Sequence, residues 1–171
     1  MKTLLVIDDE PGHRLMVRAV MEDAGWRVSE AGSAEAALRH LRGCAPGAAP
    51  DVALLDMRMP GMDGMAALAS IQELQPGMPV VMLTAYGTVG SAVEAMKRGA
   101  YDYLTKPADN EELKAVLDKA SEYGRLVAEN QELRRRVAGG AAERLVGESL
   151  GMRQVRELAA QVGPAEATVL A

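Results

Sequence analysis

The sequence predicts an α/β domain: a doubly wound sheet of five parallel strands followed by an extended C-terminal helix. Three observations predict it. Short apolar runs alternate strictly with stretches of helical periodicity, the pattern of a parallel sheet covered on both faces. The first and third runs, TLLVI and VALL, are uninterrupted, as strands buried on both faces are. Each run is followed by enough chain for one crossover helix.

The elements follow in order. A strand over 3–8 leads into a helix over 13–24, with Leu15, Met16, Ala19 and Val20 on one face and a stop at Gly25. A strand over 27–31 precedes a helix over 34–42 carrying Ala34, Ala37, Leu38 and Leu41. A strand over 51–56 precedes a helix over 64–74 with Ala67, Ile71 and Leu74 together. A strand over 79–84 precedes a helix over 88–98 with Val89, Ala92, Val93 and Met96, which stops at Gly99. The last strand covers 101–104. Five such units imply a flavodoxin-like order, 2-1-3-4-5, whose switch point lies between the first and third strands.

The final helix starts near Asp109, an N-cap with Glu111 and Glu112 in its first turn. It runs to about Val137, beyond the needs of one domain. Val116, Tyr123, Asn130 and Val137 are seven apart, with Leu126 and Leu133 interleaved, which makes a heptad seam. An Asn at an a position specifies a two-stranded parallel pairing, and Glu129 and Arg134 fall at g and e. Lys119 and Gly124 weaken the pattern; the competing reading is an amphipathic helix packed on its own domain. Gly139-Gly140 is expected to break the helix, with a new helix over 151–162 and the opening of a strand in ATVLA. The expected organisation is a domain over 1–120, a linker helix over 121–140, and the start of another domain over 141–171.

Composition narrows the classes. Hydrophobic residues make up 49% of 171, the range of globular chains. A net charge of −5, with Arg134 to Arg136 as the one basic cluster, gives no footprint for nucleic acid. The single cysteine, Cys44, has no partner for an internal bridge and suits a reducing cytoplasm. No apolar run has the length to span a membrane, and TLLVI runs straight into acids, unlike a signal peptide.

The chemistry lies at the strand ends. Asp8 and Asp9 end the first run, Asp56 the third, Thr84 the fourth, and Lys106 follows the fifth. Open α/β sheets bind ligands beyond the carboxyl ends of their strands, so this topology gathers these groups in one crevice. Three gathered carboxylates repel one another unless a cation joins them, and an all-oxygen donor set suits Mg²⁺. Lys106 supplies a positive charge and Thr84 a hydroxyl for phosphate oxygens. A carboxylate can attack phosphorus to give an aspartyl phosphate, and Asp56, alone at its strand end, is the best nucleophile. Each residue also has a plainer reading. Asp8 and Asp9 can cap the first helix ahead of Pro11, and Asp56 can be a turn residue. His13 and His40 lack metal-ligand spacing and read as surface residues.

Four blocks, VIDDEPG, LLDMRMPGMDG, MLTAYG and AYDYLTKP, resemble the response-regulator receiver domain over about residues 1–125. The resemblance implies that Asp56 is the phosphoacceptor, charged by a sensor histidine kinase. It implies that Asp9, Asp56 and the backbone carbonyl of Arg58 ligate Mg²⁺, with Asp8 acting through water. It also implies that Thr84 and Lys106 bind the phosphate, that Tyr103 is an aromatic switch, and that the Lys106-Pro107 bond is cis. Ala108 departs from the pattern, since many relatives carry Phe there. The tail, RLVGESLGMRQVRELAAQVGPAEATVLA, is similar to the entry into the AAA+ domain of sigma-54-dependent activators. That implies a full-length protein engaging sigma-54 RNA polymerase, ATP and DNA through regions outside this chain; the heptad seam separately predicts a homodimer through 113–137. No G-x-x-x-x-G-K-[ST] occurs in the 171 residues, so the chain is expected not to be an ATPase, nor an enzyme of another kind.

Three other readings compete. A metal-dependent phosphatase or phosphotransferase of the haloacid-dehalogenase kind needs a second acid two residues after the nucleophile, where Arg58 stands. A flavin module needs a phosphate loop after the first strand, where DDEP repels phosphate. A receiver that binds partners without phosphorylation needs no Mg²⁺.

Overall fold

A computed structural model describes residues 1–45, 47–85 and 89–146. Among them β1 (Thr3–Ile7), β2 (Arg27–Ala31), β3 (Val52–Asp56), β4 (Val80–Thr84) and β5 (Asp102–Thr105) alternate with five helices. These are α1 (Pro11–Asp23), α2 (Ala34–Gly43), α3 (Gly64–Leu74), α4 (Val89–Lys97) and α5 (Asn110–Val146). The strands form one all-parallel sheet of order β2-β1-β3-β4-β5, as the alternation predicts. The switch point lies between β1 and β3.

The two-residue period of the strands sorts the core into two layers. Leu5, Ile7, Ala53, Leu55, Val80 and Met82 face α2 and α3, where they meet Leu38, Leu41, Leu68 and Ile71. Leu4, Val6, Val52, Leu54, Val81 and Leu83 face the other way and meet Val17 and Met21 of α1 and Leu113, Leu117 and Ala120 of α5. Both faces of β1, β3 and β4 are thus dry, which is why their sequences are continuous apolar runs.

Three helix expectations are corrected. α1 starts at Pro11, a residue whose missing N–H suits a first turn, and buries Val17 and Met21 rather than Leu15 and Met16, which are exposed. Apolar residues almost encircle α1, so periodicity alone could not choose the face. α4 buries Ala95 and leaves Val93 and Met96 exposed. A small residue faces the sheet and lets the helix lie close; the Val89 side chain lies outside the described residues. α5 does not break at Gly139-Gly140: it continues to Val146. Each Gly costs a helix only about 1 kcal/mol, and Ala138, Ala141 and Ala142 on either side are the best helix formers. The helix expected over 151–162 and the strand in ATVLA lie outside the described residues.

By contact, Met1–Glu129 forms one compact unit and Asn130–Ala171 another. In the first, the N-terminus of α5 is capped as expected, with Asp109 Oδ1 accepting from the backbone N–H of Glu111 at 2.9 Å and of Glu112 at 3.2 Å. Its docked face runs through Leu113, Leu117, Ala120 and Ser121. Gly124 extends that face: a Cβ there would lie 2.8 Å from Cδ of Pro79. Helix and ring meet only because residue 124 has no side chain. In the second unit the side chains of Leu133 and Val137 are exposed, and Arg136 pairs with Glu132 at 2.9 Å. Among the described residues no helix is long and apolar enough to cross a membrane.

Candidate functional site

The crevice forms where β1, β3, β4 and β5 end together, and local geometry places each side chain. β1 stops at Ile7, and Asp8 follows almost wholly buried, with 2% of its surface exposed. Its N–H still donates to Ala31 O, continuing the β1–β2 ladder at 3.1 Å. Asp9, one step on, is exposed. Asp56 is the last residue of β3 and is buried. Thr84 ends β4, wholly buried, and its carbonyl accepts from the Lys106 N–H at 2.7 Å, so Lys106 begins its turn beside the crevice. The Lys106-Pro107 bond is cis, as the resemblance implies.

The acids and the lysine meet. Lys106 Nζ donates to Asp8 Oδ2 and to Asp56 Oδ2, each at 2.6 Å. Asp8 Oδ1 accepts from the Glu10 N–H at 2.8 Å, and Asp56 Oδ1 from the Arg58 N–H at 2.9 Å. Asp8, Asp9 and Asp56 each bring a carboxylate oxygen within 4.8 Å of the others. This all-oxygen set at one point fits a hard divalent cation such as Mg²⁺. Neither Asp8 nor Asp9 caps α1: its N-cap is Glu10, which makes no side-chain capping bond.

Electrostatics follow from the contacts. Burial pushes the Asp8 carboxyl up; hydrogen bonds from His13, Lys106 and the Glu10 N–H outweigh it and hold the pKa at about 2. Burial likewise presses the Lys106 ammonium down, and its bonds to Asp56 and Asp8 outweigh that, raising its pKa above the usual value. The pair of carboxylates keeps Lys106 charged, and Lys106 keeps Asp8 ionised.

Three contributors were not legible in sequence. His13, expected on the surface, turns into the crevice with Nδ1 2.7 Å from Asp8 Oδ2. Arg14 reaches back from the first turn of α1, donating from Nη1 to the Asp8 carbonyl at 2.8 Å and from Nε to Glu30 at 3.2 Å. Gly64, the first residue of α3, presses against the chain leaving Asp56: a Cβ there would lie 2.6 Å from Met57 Cα and 2.7 Å from Asp56 O. The Asp-Gly step in MPGMDG hints at a close approach; nothing in the local sequence aims His13 inward. Tyr103 lies outside the crevice proper. It is partly buried on β5, beside Met82 of β4, and its hydroxyl is 3.2 Å from Ser91 Oγ on α4.

Four of the five strand-end side chains, those of Asp8, Asp9, Asp56 and Lys106, therefore meet at one site, with the Thr84 carbonyl bonded to the Lys106 backbone beside them, while the expected linker residues do not belong to it. Val116 packs against the core, and the Tyr123 ring lies 5.2 Å from that of Tyr101. Leu126, Asn130, Leu133 and Val137 are exposed.

Residues 4–118 match the response regulator receiver domain family. The transcriptional regulatory protein ZraR of Escherichia coli O157:H7 is 39% identical over 168 residues, which is 98% of this chain and 36% of that protein. The C4-dicarboxylate transport transcriptional regulatory protein DctD of Pseudomonas aeruginosa is 37% identical over 169 residues, with the same coverage of 98% and 36%. Among solved structures, NtrX from Brucella abortus in complex with ADP superimposes with a TM-score of 0.71 at 34% identity, covering 96% of this chain and 35% of that one. A receiver domain from Clostridium thermocellum superimposes with a TM-score of 0.69 at 33% identity, covering 74% of this chain and 99% of that one. The chain thus spans 36% of the length of the curated relatives it matches.

Proposed function

The chain belongs to the response regulator receiver family of two-component systems, and from that premise we propose that Asp56 accepts a phosphoryl group from a sensor histidine kinase. The observation that carries the reading is the bridge of Lys106 between Asp8 and Asp56 at 2.6 Å on each side. An Asp56 oxygen attacks phosphorus and a P–O bond forms. The bond from phosphorus to the kinase imidazole nitrogen breaks, and that nitrogen keeps the electron pair. Lys106 and Thr84 then bind the phosphoryl oxygens.

Asp9, Asp56 and the Arg58 carbonyl would hold Mg²⁺, which supplies charge neutralisation between the acids and the phosphoryl oxygens. Asp8 carries three protein donors, two of them on Oδ2, against one on each oxygen of Asp56, which favours a role for Asp8 through water. The output runs through Thr84 and Tyr103: β4 and β5 lie side by side, and the contact of Tyr103 with Ser91 ties β5 to α4. A shift of Thr84 towards a phosphoryl group moves the strand beside Tyr103, which is the local packing change such a switch needs.

Dimerisation belongs to the same reading. The docked face of α5 and its apolar seam point in different directions. Leu113, Leu117, Ala120 and Gly124 follow one face, and Leu126, exposed by 52%, lies about 150° away at 100° per residue; Leu133 and Val137, exposed by 53% and 74%, continue its heptad spacing. A second copy of the chain, paired in parallel about Asn130, covers that seam. Because Val116 and Tyr123 are engaged by the domain, the pairing begins at Leu126 rather than at the start of the heptads. The proposed organisation is a receiver over 1–120, a linker over 121–140 and the first part of an AAA+ sigma-54 interaction domain over 141–171. On this reading the full-length protein is a cytoplasmic transcription regulator engaging sigma-54 RNA polymerase, ATP and DNA elsewhere. The 171-residue chain is then a phosphoryl acceptor and not itself an enzyme.

The test is labelling by a small phosphodonor with Mg²⁺. Wild-type chain should take up one acid-stable, base-labile phosphoryl group, and Asp56→Asn none. Persistent labelling of the Asn variant would sink the assignment.

A further inference from the structure

We propose that His13 is a positioning residue for phosphoryl transfer: its Nδ1–H holds Asp8 so that Lys106 can leave that carboxylate for the phosphoryl group. The inference rests on Asp56 being the phosphoacceptor. Asp8 Oδ2 accepts two donors at once, Lys106 Nζ at 2.6 Å and His13 Nδ1 at 2.7 Å. An ionised carboxylate only accepts, so the His13 Nδ1 carries the proton in this contact. The two donors differ in their other commitments. Lys106 is shared with Asp56. His13 faces Asp8 alone among the described hydrogen bonds, on a side chain only 13% exposed.

His13 is also held in place. It lies on the first turn of α1, one turn before the wholly buried Val17. Its neighbour Arg14 ties that turn to the Asp8 carbonyl and to Glu30. The Arg14 guanidinium crosses Gly32, where a Cβ would lie 3.5 Å from Nη1, so the chain leaving β2 backs it closely. The first turn cannot drift away from Asp8 without breaking these contacts.

Transfer changes what Lys106 sees. When the P–O bond forms, Asp56 ceases to be a free carboxylate and its charge moves out onto the phosphoryl oxygens. The ammonium follows that charge. Asp8 stays behind, almost wholly buried; its Oδ1 keeps the Glu10 N–H, and leaving Oδ2 of a buried ion without a donor is costly. His13 keeps Oδ2 bonded through the exchange. The balance at Asp8 fits: burial raises its pKa, and the bond from His13, then that from Lys106, lowers it.

The experiment compares His13→Leu, His13→Asn and His13→Gln for two quantities. One is the labelling rate with a small phosphodonor at saturating Mg²⁺. The other is Mg²⁺ affinity, by calorimetry without the donor. Asn places an amide N–H near the position of Nδ1, while Gln carries it one methylene too far. The Leu and Gln variants should label about tenfold slower, roughly 1.4 kcal/mol in barrier. Their Mg²⁺ affinity should hold or tighten, because an under-bonded Asp8 leaves more negative charge in the crevice. The Asn variant should label within about threefold of wild type. A joint loss of labelling and Mg²⁺ affinity would mark His13 as merely structural and overturn the proposal. So would wild-type rates in the Gln variant, which serves alone if the Leu variant does not fold, or failure of the folded Asn variant to recover. A wild-type chain that does not label removes the phosphoacceptor reading itself, and this inference with it.

Discussion

Asp8 allows a stability prediction whose size and sign both come from the structure. Its carboxyl is held at about 2 instead of the usual 3.8, because the bonds from His13, Lys106 and Glu10 outweigh burial. A depressed folded-state pKa stabilises the fold above the unfolded pKa, and that stability is lost as pH falls through the folded one. At ~1.36 kcal/mol per tenfold, the contribution is about 2 kcal/mol at neutral pH. The linkage is flat above about pH 5 and has lost roughly half its value by pH 3. The perturbation is Asp8→Asn, which keeps the shape and removes the titration. Urea unfolding of both proteins in EDTA, at intervals from pH 7 to pH 3, gives the difference in stability between them. Carboxylates remote from the crevice titrate alike in both proteins and cancel. The difference should move against wild type by about 1 kcal/mol as the pH falls across that range. A difference that stays constant, or shifts in favour of wild type on acidification, would refute the claim that this carboxylate is held ionised by its partners.

Gly124→Ala sets two effects against each other. Ala gains about 1 kcal/mol of helix propensity over Gly, but its Cβ would stand 2.8 Å from the Pro79 ring and 3.4 Å from Asp51 O. Overpacking of this kind costs about 1–3 kcal/mol, so thermal unfolding should show net destabilisation; a rise in Tm would remove the close contact. Gly64→Ala should cost roughly 2 kcal/mol or more and slow labelling of Asp56, because the clash falls on the backbone of Asp56 and Met57. Wild-type labelling in a stable Ala variant would count against that packing. Leu126→Ser combined with Leu133→Ser should turn a dimer into a monomer in light scattering, with the melting of the domain unchanged, since both side chains are exposed. An intact dimer in that variant would place the interface elsewhere.

The sequence by itself determined the sheet and the crevice. A strand buried on both faces must be apolar throughout, so TLLVI and VALL announce themselves, and the parallel topology brings the residues after them together. Asp8, Asp9, Asp56, Thr84 and Lys106 needed nothing more than that logic to be found. The tertiary structure decided what docking decides. Leu15, Met16, Val17, Val20 and Met21 nearly ring α1, so local periodicity left its buried face open until packing on β1 and β3 buried Val17 and Met21. That choice of face also turned His13 towards Asp8. On α4 the small Ala95, not the larger Val93 or Met96, meets the sheet, because close approach favoured the short side chain. Gly64 and Gly124 are each explained by a partner distant in sequence or across a turn, Met57 in one case and Pro79 in the other. Spacing along a chain reports periodicity, and so element type; which neighbour a face meets depends on how whole elements pack.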